Sequence, residues 1–357
     1  MSTVAPSPQP RRRRGRTASV VLGAGAVAVI LGGAVIPYPY VIESPGPTYD
    51  VLKEDVIQVA GRPTYPATGS LSMTTVYLTG GPGQDVHGFD ILGAWLRGDS
   101  RIVPEREIFP GDTTPEEIAH TSRLEMTNSQ NAAVAAAYTR LGIPYQKRLV
   151  VQALVKGAPA AGVLKDGDQI LAAGGGPVAD VVALRKAVEA SEGKPVALTV
   201  LRDGARRELT VKPVKQEQRW VLGVYLKNDF TFPFTPTFNL RDVGGPSAGM
   251  MFALGLLEEL TPGDQTNGHA IAGTGTIQAT GEVGPIGGIQ QKMIGASRSG
   301  ARYFLAPAAN CGDVVGHVPS GMEVVRVATL EQAAAAVTAI GRGETRESNP
   351  QALPTCG

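Results

Sequence analysis

The pattern of apolar and polar positions changes character several times along the chain. Residues 11–16, RRRRGR, are followed by TASVVLGAGAVAVILGGAVI at 17–36, which carries no charge. About 20 such residues at about 1.5 Å rise each span a bilayer core of about 30 Å. The run predicts a membrane-spanning helix over 17–37, with the arginine block held on the cytoplasmic side. Residues 38–110 alternate β-branched runs with Gly and Pro, and SLSMTTVYLTGGPG (70–83) predicts a strand entering a turn. Residues 113–142 predict a helix. Pro115 suits its first turn, Glu116 and Glu117 the positive end of its dipole, and Gly142 its stop.

From 146 to 214 the period switches in a compact order: strand, turn, short helix, strand, helix (179–191), strand, a hairpin at RDG, strand. The next segment, VLGVYLKNDFTFPFTPTFNLRDV (221–243), is strand-like. GGIQQKMIGASRSG (287–300) predicts a helix on which Ile289, Met293 and Ala296 share one face, at about 100° per residue. The chain closes with strands in ARYFLAP and MEVVRVA and a helix in TLEQAAAAVTAIG, opened by a capping box of Thr329 with Gln332. This mixture predicts an α+β fold.

A length of 357 residues is enough for two domains and a tail, and an apolar fraction of 43% is ordinary for a globular protein. A net charge of +1 gives no field that argues for nucleic acid as a partner. No spacing of His and Cys resembles a metal site, and no cofactor is implied. The anchor reading places everything after Pro37 outside the cytoplasm. A cleaved signal peptide is the alternative, weakened by the length of the run and by PYPYVIESPG where a small-residue cleavage site is wanted. In an oxidising space the two cysteines, Cys311 and Cys356, tend to pair, with free thiols as the alternative. A bridge would pin the tail GRGETRESNPQALPTCG, which otherwise reads as disordered.

Candidate chemistry starts in DVGGPSAGMMFALGLLEELTPGD (242–264). A serine before an apolar helix is ordinarily an N-cap. Here Gly244, Gly245 and Gly249 bracket Ser247, and an N-cap needs no such clearing. Small residues let a substrate backbone approach, and the N–H groups of Ser247 and Ala248 at a helix start can hold a developing oxyanion. A base is harder to find. His87, His120, His269 and His317 form no Ser-His-Asp pattern, no GxSxG is present, and His269 in TNGHAIAG reads as a surface residue. Lys292 falls on the edge of the apolar face of the 287–300 helix, whereas Gln290, Gln291 and Arg298 fall elsewhere. Such a lysine either snorkels to water or is held for chemistry, where burial lowers its pKa and makes it a general base.

Two resemblances join these features. GAPAAGVLKDGDQIL, a helix starting near Asp180 and the hairpin VALTVLRDGARRELTV together resemble a bacterial PDZ domain. Such domains add an extended peptide as a strand beside a helix. The resemblance implies a groove edge at Leu149–Leu154, with Leu149, Val150 and Val151 facing the helix around Val182 and Lys186. GGPSAGMMFALGLLEELT and GHAIAGTGTIQATGEVGPIGGIQQKMIGASRSGARYFLAP, in that order, resemble the proteolytic domain of Lon-type serine peptidases. That family uses a Ser-Lys dyad. Its serine falls on Ser247, its PIGGxxxK lysine on Lys292 and a threonine that supports the lysine on Thr274, over roughly residues 235–340. Two departures stand out. No GxxxxGK[ST] occurs in this chain, so it offers no ATPase module for unfolding. Where those relatives often carry an acidic residue, three before the serine, this chain has Gly244, with Asp242 close but not equivalent.

The whole layout resembles a bacterial family of membrane-anchored PDZ and Lon-domain proteins. It implies a cytoplasmic basic tail (1–16), a transmembrane helix (17–37), an extracytoplasmic region partly packing with the protease domain (38–145), a PDZ domain (146–222), a Lon-like domain (223–341) and a tail (342–357). Strand 70–80 joining the Lon-like domain would make the PDZ module an insertion. The implied activity is ATP-independent serine endopeptidase cleavage of extracytoplasmic proteins, the PDZ domain taking substrate or regulatory peptides. A homo-oligomer is expected by analogy alone. The competing reading is a catalytically silent, membrane-tethered PDZ scaffold; a further one keeps the enzyme and makes the PDZ domain a gate.

Overall fold

The computed structural model describes residues 32–357 except Glu54, Pro110, Asp112, Glu217, Arg241 and Asp242. The basic tail and most of the expected spanning helix lie outside these residues. Gly32–Val35 are helical, and among the described residues no helix is long and apolar enough to cross a membrane. Along the chain the longer elements are β1 (Tyr40–Asp50), β2 (Ser70–Thr79), α1 (Gly88–Arg97), β3 (Arg101–Pro104), α2 (Pro115–Leu141), β4 (Gln146–Leu154) and β5 (Gln169–Ala173). Then come α3 (Val181–Ala190), β6 (Val196–Arg202), β7 (Ala205–Val211), β8 (Val224–Thr231), α4 (Gly249–Leu260) and β9 (Ala270–Gly273). The last are α5 (Ile289–Arg298), β10 (Tyr303–Pro307), β11 (Glu323–Val327) and α6 (Leu330–Gly341).

The chain divides into two compact units. The first takes the described residues to Gln58, Pro63–Ala133 and Thr237–Gly357; the second takes Val59–Arg62 and Val134–Pro236. In the first unit six strands form one mixed sheet in the order β11-β10-β9-β2-β1-β3. β2 runs parallel to β9 with Leu71 opposite Ile271, and β10 and β11 continue the parallel set. β1 runs antiparallel to β2 and β3. Leu71, Met73, Ile271, Phe304 and Leu305 are wholly buried along it. Helix α5 packs on β1 and β2, and α4 on β2 and α6. The α4 sequence GMMFALGLLEEL is apolar on nearly every side, so every residue from Gly249 to Glu258 is buried. The tail does not trail free: Leu353 is buried, the Arg326 N–H donates to Pro354 O at 2.8 Å, and Cys311 is bridged to Cys356.

The second unit is an antiparallel sheet in the order β7-β6-β5-β4-β8. Leu184 and Val188 on α3 pack into its core with Leu149, Ile170 and Leu198. Asp180 caps α3, accepting from Ala183 N at 2.9 Å and from Lys147 Nζ at 3.1 Å. β8 is the surprise. The alternation at 221–243 identified a strand but assigned it to the following domain, whereas it completes the sheet of this unit along the full length of β4.

Helix α2 opens on a reciprocal cap: Glu117 N donates to Thr114 Oγ1 at 3.3 Å and Thr114 N to Glu117 Oε2 at 2.9 Å. Its residues to Ala133 belong to the first unit and the rest to the second.

Candidate active site

Ser247 stands in the loop that feeds α4, and it does not cap that helix. The N-cap position is Ala248, and no side chain bonds the first turn. The hydroxyl is therefore free of the usual duty of a serine at this place. Its own carbonyl is fixed twice, accepting from Gly275 N at 2.8 Å and from Thr274 Oγ1 at 3.0 Å. Gly275 O in turn accepts from Met250 N at 3.0 Å. The loop after β9 and the first turn of α4 are laced together, and Ser247 is held between them.

Gly244 and Gly249 make room for neighbouring parts of this unit. A Cβ on Gly249 would lie 2.6 Å from Ser129 Oγ and 2.8 Å from Ile277 Cγ2, and Gly244 is crowded by Ser122 in the same way. Gly245 takes φ 81°, which the turn requires. So α2 comes close enough to hold the loop from behind: Gly245 N donates to Ser122 O at 3.1 Å and Ser129 Oγ to Pro246 O at 2.9 Å.

Lys292 does not snorkel. It is 3% exposed, and its Nζ lies 2.7 Å from Ser247 Oγ and 3.0 Å from Thr274 Oγ1, on a threonine with no exposure at all. Burial pushes its pKa down from 10.5 to about 7; the Glu43 carboxylate, buried on β1, pulls the other way. Glu43 faces its register partner Arg101 on β3, with Nη1 3.4 Å from Oε2. Once the amine is neutral, the serine hydroxyl donates to its lone pair. Thr274 then has a clear part: its hydroxyl hydrogen goes to Ser247 O, leaving its oxygen to accept from the amine and aim it.

The structure thus brings Ser247, Lys292 and Thr274 together. The histidines stand apart from this group: His87 precedes α1, His120 is exposed on α2, His269 has its ring against Tyr303, and His317 is exposed. Among the described residues no cluster of His, Cys, Asp or Glu could hold a metal ion. Glu43, Ser122 and Ser129 escaped the sequence reading. The only mark of the two serines was a small hydroxyl recurring after two helical turns.

The groove edge expected at Leu149–Leu154 is corrected. β4 is an interior strand, paired with β8 on one side and with β5 at Leu149 and Val150 on the other, so it has no edge for a peptide. Leu149 and Val151 are each 1% exposed in the core. The sheet ends at β8, which lies against α3, while Val182 and Lys186 are exposed on that helix.

With this geometry in hand, similarity to known proteins becomes decisive. Residues 241–339 match the family described as the Lon protease (S16) C-terminal proteolytic domain. Residues 123–212 match the PDZ domain family. The chain carries a serine-peptidase domain of the Lon type and a PDZ domain. It is 37% identical over 91 residues to a Lon protease of Campylobacter concisus, covering 24% of this chain and 11% of that protein. It is 29% identical over 156 residues to a Lon protease of Phenylobacterium zucineum, covering 43% of this chain and 19% of that protein. The chain spans less than a fifth of the length of these relatives. A solved PDZ domain of an SdrC-like protein from Listeria innocua is 18% identical, covering 22% of this chain and 92% of that one, with a TM-score of 0.21.

Proposed function

We propose that this chain is a serine endopeptidase that cleaves extracytoplasmic proteins without nucleotide, tethered to the cell membrane through residues 17–37 with its N-terminus cytoplasmic. The observation that carries the reading is the amine of a buried lysine, its pKa brought to about 7, at 2.7 Å from the Ser247 hydroxyl. Neutral Lys292 takes the hydroxyl proton as Ser247 Oγ bonds to the scissile carbonyl carbon. The carbonyl oxygen becomes an oxyanion at the positive end of α4, where the N–H groups of Ser247 and Ala248 lie. The ammonium of Lys292 returns its proton to the leaving amine, and the C–N bond breaks. Water, deprotonated by the same amine, releases the acyl group. Thr274 positions the amine throughout.

The PDZ domain would take an extended peptide at the free edge of β8 beside α3, where main-chain hydrogen bonds supply affinity and Val182 offers an apolar contact. The Cys311–Cys356 bridge fits an oxidising compartment. Assembly into a homo-oligomer belongs to the same proposal, by analogy with related proteolytic domains.

An acylating probe of serine hydrolases tests the chemistry on the full chain. Labelling of the wild type, lost in Ser247→Ala and in Lys292→Ala, is the expected result, with peptide cleavage down by about 10³-fold or more in each variant. Labelling that survives Ser247→Ala would leave a tethered scaffold as the better reading.

A further inference from the structure

Helix α1 is apolar on two sides. Ile91 and Ala94 face inward and pack with Ile42, Val86 and Ile102. Phe89, Leu92, Trp95 and Leu96 face outward, with Trp95 71% and Leu96 68% exposed. Positions 89, 92 and 96 form one stripe at helical spacing, and Trp95 flanks it. The only charged residues on α1 are already engaged. Asp90 Oδ2 accepts from His87 N at 2.8 Å, and Arg97 Nε lies 3.8 Å from Asp99 Oδ1. A contiguous outward face of four large apolar side chains calls for a partner.

What covers it follows from where the helix starts. The two-residue strand Pro37–Tyr38 pairs with Val86–His87, so the chain leaves the apolar run of 17–36 beside the first residue of α1. A Cβ on Gly33 would lie 3.6 Å from the Phe89 ring, and one on Gly88 3.1 Å from Gly33 Cα. Around this point Val35, Ile36, Tyr38 and Tyr40 are all exposed. Aromatic rings beside the end of an apolar span are the side chains that favour the boundary between lipid and water.

We propose that the outward face of α1 lies in the interface of the phospholipid bilayer that residues 17–37 enter, seating the unit that holds Ser247 on the membrane. Phe89, Leu92 and Leu96 reach the acyl boundary, and Trp95 sits at headgroup level, as amphipathic helices do when they lie along a bilayer. The proposal rests on the anchor reading above and adds a contact that the anchor alone does not require.

Tryptophan emission tests it, since the chain has only Trp95 and Trp220. Trp220 packs against the core of the second unit and serves as an internal reference. The full chain is reconstituted into phosphatidylcholine vesicles, plain or brominated near the headgroup end of their acyl chains. The expected result is a loss of emission on bromination in the wild type that Trp95→Phe does not show. The double variant Leu92→Ser with Leu96→Ser should reduce that loss while keeping its thermal midpoint and its cleavage of a soluble peptide. An alkaline carbonate wash reports the anchor separately. Chain retained through the wash with equal emission from both vesicles overturns the docking face and keeps the anchor. Chain washed off, yet quenched before washing, removes the anchor and keeps the face. A Trp95 blue shift without quenching, together with cross-links between copies, overturns the proposal in favour of self-association.

Discussion

At Lys292 two influences oppose each other. Burial drives the amine toward neutrality, and the Glu43 carboxylate favours the ammonium. Because the folded pKa of about 7 lies below the ordinary 10.5, the unfolded chain binds more protons between those values. Lys292 therefore lowers stability most below about pH 7, a cost that fades as pH rises toward 10.5. That cost is what a base at neutral pH requires. Thr274 sets where the amine points, which makes it a positioning residue. Thr274→Val should lower kcat by about tenfold to a hundredfold with little change in KM, and Thr274→Ser should recover most of the loss. Steady-state kinetics on a soluble peptide check this; equal losses in both variants would assign Thr274 to packing. Ser247 and Lys292 each carry a local sign, a glycine-bracketed hydroxyl and a charge at the edge of an apolar helical face, but the ordered Lon-type motifs around them are what paired the two. Glu43 carries no such sign. Its relation to Lys292 arises only when β1 and α5 pack.

At the level of elements, local periodicity predicted most helices and strands but not which sheet accepts a strand. The parallel pairing of β2 with β9 places strand 70–79 in the sheet of the Lon-like unit, as the layout of the chain suggested, though the alternation in neither segment names its partner. β8 shows the same limit. Its alternation made it a strand, and its position after the hairpin suggested the wrong neighbour; pairing with β4 decided the matter. The shift of edge from β4 to β8 has a measurable consequence. Val182→Asp, on the exposed face of α3, should weaken binding of a peptide with an apolar C-terminus by roughly tenfold and leave stability nearly unchanged. Leu149→Ala should instead cost about 2–5 kcal/mol of stability, since it empties a buried position. Titration with a labelled peptide and a denaturant series separate the two; weak binding from a stable Leu149→Ala variant would return the groove to β4.

Across the whole molecule, the first unit is assembled from pieces on either side of the second, so residues 70–79 and 270–273 share one sheet. The tail is tied to this unit by the Cys311–Cys356 bridge, which closes a separation of 45 residues. On a chain-entropy basis such a loop contributes up to about 4 kcal/mol. Reduction should therefore lower the thermal midpoint clearly while leaving peptide cleavage at low temperature intact, as the hydrogen bonds that hold Ser247 and Lys292 run to Thr274 and to each other. Unchanged melting in reductant would mean that the bridge constrains little. The most direct test of the chemistry is the pH dependence of kcat/KM for a short soluble peptide. The rate should climb with pH, reach half its maximum near 7 where Lys292 becomes neutral, and level off above. A rate that is flat through this range, or that rises only toward the ordinary lysine value of 10.5, would contradict a neutral Lys292 acting as the base for Ser247.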